Sequence, residues 1–139
     1  MRKSEQKLWD AMKRAAKKHA PRAWMQRVEN LAGDGMPDVH ASHDAIESWV
    51  ELKAAKMPKR ATTKLQMSEG LRASQINWHM KAQTKGLRTF ILVRVEGMER
   101  HPLLINGCWA SAFNDYTYAD ARAAAVACGW DEIFAELMP

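Results

Sequence analysis

Cysteine is scarce: Cys108 and Cys128 are the only two in 139 residues. Their separation excludes the close spacing of a zinc knuckle or a redox pair and leaves the expectation of two reduced, buried thiols. Long apolar runs are missing as well. No stretch approaches the ~18 residues that a membrane span requires, and nothing apolar follows Met1-Arg2-Lys3-Ser4 as a secretory leader would demand. The expectation is an intracellular protein. Internal repeats and low-complexity linkers are also absent, so the length fits one domain, large enough for a real core.

The composition is that of a globular protein, 47% hydrophobic and 27% charged. Acidic residues are outnumbered, 16 against 21 basic, which leaves a net charge of +5. A basic excess of this size is compatible with a polyanionic partner without identifying one.

Apolar spacing predicts a helix from Ser4, a suitable N-cap, to about residue 19. Leu8, Trp9, Met12, Ala15 and Ala16 form its stripe, and Pro21 ends it. Glu5 stands three and four residues before Leu8 and Trp9, on the inward side. It serves either the helix dipole or a site. Residues 22–29 fit a strand, and the glycines of Gly33-Asp34-Gly35 a turn. Residues 38–42 and 48–55 read as strands joined around residues 43–47. Residues 54–70, rich in Lys, Arg, Thr and Gly, read as a mobile loop. A helix is expected over 72–85, ending near Gly86. Residues 88–96 give the clearest buried strand, and 103–105 another. Thr117-Tyr118-Ala119-Asp120 resembles a capping box opening a helix to about Cys128. Gly129 then breaks it, with a last helical turn or two over 131–137. This order implies an α/β or α+β fold, a mixed sheet covered by helices.

The chemistry concentrates in Gly35-Met36-Pro37-Asp38 and Trp49-Val50-Glu51-Leu52-Lys53. If the strands at 38–42 and 48–55 pair antiparallel with the turn near 43–46, Ser42 faces Glu47 and Asp38 faces Glu51. Directly opposed side chains lie ~5 Å apart at Cβ. Alternation puts Lys53 and Trp49 on the same side, with Val39, Val50 and Leu52 on the core side. Two adjacent carboxylates repel unless a cation or a proton lies between them, and oxygen ligands suit a hard divalent ion. The competing account makes Glu51 and Lys53 ordinary strand residues and Asp38 a turn cap.

These residues resemble the signature of the PD-(D/E)xK nuclease superfamily. Together with Ser74-Gln75-Ile76-Asn77-Trp78 and Gly86 before a strand, they are similar to its virus-type replication-repair (VRR-NUC) group. The resemblance covers about residues 4–96, and the C-terminal 40 residues match no pattern of it. It implies a restriction-endonuclease-like core and a single nuclease domain with a helical, aromatic extension over about 97–139. It implies that Asp38, Glu51 and the Leu52 carbonyl bind Mg2+ or Mn2+, that Lys53 positions or activates water, and that Gln75 supports the site or contacts DNA. Glu5 matches the family's helical acid and would reach the metal through water, although Glu29 competes for that role. The implied activity is phosphodiester hydrolysis in DNA, structure-selective for Holliday junctions, flaps or other branches. Members of this size imply a homodimer in a bacterial or phage-infected cytoplasm, acting in replication, recombination or repair.

Lys56, Lys59, Arg60 and Lys64 would clamp phosphates from the loop. Lys13, Arg14, Lys17 and Lys18 form either a second phosphate face or a solvated helix surface. His40 and His43 lie near the site without zinc-like spacing. Trp78 and His79 either stack on a base or pack in the interior, and the remaining tryptophans are expected to pack. Trp109, Phe113, Tyr116, Tyr118 and Trp130 suggest a dimer surface. Two alternatives stay open: a non-catalytic nucleic-acid-binding protein on the same fold, and a nuclease subunit whose partner supplies specificity.

Overall fold

Between Val39 and Lys56 the chain forms the hairpin that the carboxylate pairing calls for. In the computed structural model, which describes residues 3–28 and 35–139, strand β2 (Val39–His43) pairs antiparallel with β3 (Ile46–Lys56). His43 stands opposite Ile46 and Val39 opposite Val50, so one further step sets Asp38 opposite Glu51. The turn is two residues long. Asp44 and Ala45 both take positive φ, 48° and 68°, as in the mirror-image turn whose twist matches that of the strands. β3 has 11 residues and β2 five, so β3 outruns its partner from Glu51 onward.

The other edge of β3 is paired from Trp49 to Lys56. It runs parallel to β4 (Thr89–Glu96), with Trp49 opposite Thr89 and Lys56 opposite Glu96. Parallel neighbours need a crossover, and helix α2 (Ala73–Thr84) supplies it. β1 (Trp24–Arg27), β5 (Leu103–Asn106) and β6 (Ala125–Cys128) complete a six-stranded sheet in the order β1-β2-β3-β4-β5-β6. All neighbours except β3 and β4 are antiparallel. The chain thus has the mixed α+β architecture, a sheet flanked by helices, that the element order predicts.

Alternation along the central strands sorts the core into two layers. Val39, Val50, Leu52, Phe90, Leu92 and Leu104 pack under α1 (Lys3–His19) and α5 (Trp130–Leu137), whose Leu8, Met12, Ile133 and Leu137 are wholly buried. Ile91, Val93, Leu103 and Ile105 face the opposite layer with Leu71, Phe113 of α3 (Ala110–Phe113) and Ala121 of α4 (Tyr118–Ala124). Burial on both faces explains why β4 reads as a near-continuous apolar run. Each large apolar side chain enclosed in this way contributes about 1.5–3 kcal/mol of transfer free energy.

Several expectations need correction. The helix opened by the Thr117 capping box ends at Ala124, and residues 125–128 form β6 against β5. Alanine is a strong helix former, but here the pairing to β5 prevails. β3 continues to Lys56, and the segment after it is tied by bridges between Lys56 and Gln66 and between Lys64 and Thr117. The cysteines are free, but Cys108 is exposed and Cys128 half-buried. Trp24 and Trp109 are 60% and 51% exposed rather than packed, whereas Phe113 belongs to the core. Glu29 and the Gly33-Asp34 part of the expected turn lie outside the described residues.

Candidate active site

The site grows from the point where β3 outruns β2. With no strand beside it there, the Leu52 N–H takes a side-chain acceptor: it donates to Asp38 Oδ2 at 2.8 Å. Asp38 is thereby fixed at the open edge. The loop that carries it is wedged against α2. Gly35 has φ +86°, and a Cβ there would stand 2.2 Å from the Ser74 carbonyl oxygen, so only glycine fits.

Glu51 and Lys53 share the face of β3 that looks toward α2, and both are buried, at 1% and 5% exposure. Gln75, at the third position of α2, links them. Its Nε2 donates to Glu51 Oε1 at 2.8 Å, and its Oε1 accepts from Lys53 Nζ at 3.4 Å and from the Arg72 N–H at 2.9 Å. The last of these is the backward half of a capping box, so one amide both caps the helix and joins the two site residues. Lys53 Nζ also donates to the Gly70 carbonyl at 3.2 Å. It lies 3.7 Å from Glu51 Oε1, a charge contact rather than a hydrogen bond.

The electrostatics are unusual. Burial first, then the charge of Asp38 and a side-chain interaction with it, push the Glu51 carboxyl up to about 9, with Glu5 adding in the same direction; Lys53 pulls against this without prevailing. Glu51 Oε2 is buried and receives no hydrogen bond. A carboxylate oxygen without a donor, on a group beside a second carboxylate, fits a cation: oxygen ligands suit a hard divalent ion. Among the described residues no group of three or more His, Cys, Asp or Glu is placed to hold an ion together. Among the described residues the carboxyls that meet here are those of Asp38 and Glu51, and Glu5, half-buried in the first turn of α1, acts on Glu51 through its charge.

Other expected residues are distributed around this centre. Lys56, Lys59 and Arg60 line a groove of about 630 Å³ with Met57, Thr63 and Glu96. Lys64 stands apart and pairs with Asp115 at 2.7 Å. His40 stacks on Trp49 at 4.4 Å, and Trp49 meets Trp78 edge-on at 5.9 Å, which fastens α2 to the hairpin. His40 Nε2 is 3.3 Å from Glu47 Oε1 but forms no hydrogen bond. His79 is fully buried, neither ring nitrogen has a partner, and burial lowers it to about 4.

Sequence reasoning missed Asn114. Its Oδ1 accepts from the Leu71 N–H at 2.7 Å and its Nδ2 donates to the Leu71 carbonyl at 2.8 Å. That exchange holds the Gly70-Leu71 turn whose carbonyl engages Lys53. No local pattern marks Asn114, because its partner is 43 residues away.

The six-stranded mixed sheet and its flanking helices define a restriction-endonuclease-like fold. The whole chain shares that fold with the Holliday junction resolvase of the archaeal hyperthermophile Archaeoglobus fulgidus, at TM-score 0.57 and 13% identity over 96% of this chain and 98% of that one. No protein-family model and no curated protein sequence matches the chain.

Proposed function

We propose that the chain is a divalent-metal-dependent endonuclease that hydrolyses phosphodiester bonds in DNA, selective for branched structures such as four-way junctions. The observation that carries this reading is the convergence of Asp38, buried Lys53 and Gln75 on buried Glu51, whose Oε2 has no hydrogen-bond donor. The fold shared with a Holliday junction resolvase supports it and motivates the choice of substrate.

Asp38 and Glu51, with the Leu52 carbonyl on the same open edge, would hold Mg2+ or Mn2+. When bound, the ion would polarise the scissile phosphate and lower the pKa of coordinated water. Gln75 fixes Glu51 and Lys53 relative to one another, so neither has to reorganise during reaction. The Lys53 ammonium, held between Gly70 and Gln75, orients the attacking water and offsets charge on the phosphoryl oxygens. A water oxygen bonds to phosphorus, a bridging P–O bond breaks, and the departing oxygen takes up a proton. Glu5 sits at the margin and acts through water. Lys56, Lys59 and Arg60 would contact phosphates without choosing sequence. A four-way junction has near two-fold symmetry, so a homodimer with two such sites would cut paired strands. The working setting would be replication, recombination or repair of bacterial or phage DNA.

The test is cleavage of labelled four-way junction, flap, duplex and single-stranded DNA with Mn2+, with Lys53→Ala beside wild type. Junction or flap cutting that falls about 10²–10³-fold in Lys53→Ala is expected. Equal cutting of linear duplex and junction would remove the structural selectivity. Binding without any cutting would favour the non-catalytic alternative.

A further inference from the structure

Three concavities of the surface adjoin one another. The groove beside Lys56, Lys59 and Arg60 shares Lys56, Gln66 and Glu96 with a smaller pocket that reaches Ser4 at the start of α1. That pocket shares Arg94 with a third groove, of about 630 Å³, between the outer face of α1 and the β4–β5 connection. Lys7, Arg14, Lys18 and His19 line this third groove from α1, and Arg94 and Arg100 from the other wall. The three thus follow one another in series, a track with Ser4, at the start of α1, lining its middle.

Cations outnumber acids along it, with Glu96 lining both the first groove and the smaller pocket. The acids in the third groove are already engaged: Asp10 lies 3.6 Å from Lys13, and Glu99 lies 4.0 Å from Arg94 and accepts from the Gly97 N–H at 2.9 Å. Among the described residues, Lys7, Arg14, Lys18 and Arg100 have no carboxylate within ion-pair distance. A concave basic wall focuses its field on a polyanion. The 17 residues of α1 extend about 25 Å, the axial rise of roughly seven nucleotide steps at 3.4 Å each.

We infer that this track is a second nucleic-acid anchor, seating the phosphate backbone of a DNA duplex arm along α1 and the β4–β5 connection and leading it past the start of α1 toward the 57–64 loop. Which face of α1 takes part differs from the Lys13, Arg14, Lys17 and Lys18 grouping, because Lys7, Arg14 and Lys18 are the cations that line the groove. The inference builds on the nuclease reading only in naming DNA as the polyanion. Its test needs no cleavage.

Fluorescence anisotropy with a labelled 20-base-pair duplex in EDTA, across a KCl series, measures the number of phosphates neutralised. Arg14→Ala/Lys18→Ala and Lys59→Ala/Arg60→Ala are compared with Lys81→Ala/Lys85→Ala, two exposed positions of α2 and its C-cap that lie off the track. Each on-track pair should reduce the magnitude of the salt slope by about two, while the control leaves it within experimental error. An Arg14→Ala/Lys18→Ala protein indistinguishable from the control overturns the inference. So does equal weakening by all three pairs, which would report net charge alone. Anionic vesicles bound by wild type more tightly than the duplex would assign the track to a membrane surface and also overturn it. Wild type that shows the expected slopes yet cuts nothing with Mn2+ would leave the anchor standing and remove only the nuclease reading.

Discussion

Asn114 and Leu71 exchange two hydrogen bonds, at 2.7 and 2.8 Å, across 43 residues of sequence. Through the Gly70 carbonyl this exchange sets the height of Lys53 above the sheet. Asn114→Ala should therefore lower stability by about 1–3 kcal/mol, the cost of leaving backbone groups without partners. It should also slow junction cleavage while leaving duplex affinity in EDTA unchanged. Denaturant unfolding and single-turnover cleavage check the two halves, and an unchanged cleavage rate would break the proposed link to Lys53.

Glu51 carries a pH signature. Its folded-state carboxyl is pushed up to about 9, above its usual 4.5, so the native state holds a proton that the unfolded chain has released. Stability of the metal-free protein then falls as pH rises through that window. His79 slopes the other way. Lowered to about 4 from 6.5, it contributes stability above pH 6.5 that is lost as pH falls through its folded value. Above pH 6.5 Glu51 dominates of the two. In EDTA, the stability of wild type relative to Glu51→Gln should decline between pH 6.5 and 8.5, and Mg2+ should stabilise wild type alone. Parallel pH curves for the two proteins would refute the buried, proton-holding acid.

Ala45 sits at φ +68°, a conformation that costs a residue with a Cβ roughly 1–2 kcal/mol. Ala45→Gly creates the Asp-Gly pair favoured in this turn. Net of the extra chain entropy of glycine, it should stabilise by about 0.5–1 kcal/mol and raise Tm by a few degrees, with cleavage untouched.

Gly35→Ala should do the opposite. The new Cβ meets the Ser74 carbonyl oxygen at 2.2 Å, and φ is +86°. A loss of more than about 1 kcal/mol is expected, accompanied by lost Mg2+ stabilisation, because the Pro37-Asp38 segment must move away from α2. Thermal unfolding with and without Mg2+ reads both effects, and a wild-type response to Mg2+ would separate Gly35 from the site.

The hairpin register was legible in the sequence because local rules fix it: alternation of Val50, Glu51, Leu52 and Lys53, and a short connection after Ser42. Helix α1 was legible from its stripe and its stop, and α2 from the stop at Gly86. β6 was not, since Ala125-Val126-Ala127-Cys128 follows a helix and carries helix-forming alanine; only pairing with Leu103–Ile105 makes it a strand. The Gly70–Lys53 and Asn114–Leu71 contacts were illegible for the same reason: each joins residues that no periodicity relates. Asp38, Glu51 and Lys53 were placed by hairpin pairing and alternation and Gln75 from the resemblance, and the geometry brings all four together. Lys64, placed by charge alone, lies elsewhere with Asp115.

The two-residue turn at Asp44-Ala45 has a further consequence. It is exposed, and Asp38 lies six residues away, about 20 Å along an extended strand. Surface turns ordinarily absorb insertions, but this one acts as a gauge. A single added residue that slipped β2 against β3 would carry Asp38 to the far side of the sheet, away from Glu51. The length of this turn therefore decides whether Asp38 and Glu51 meet, although the turn stands at the opposite end of the hairpin from them.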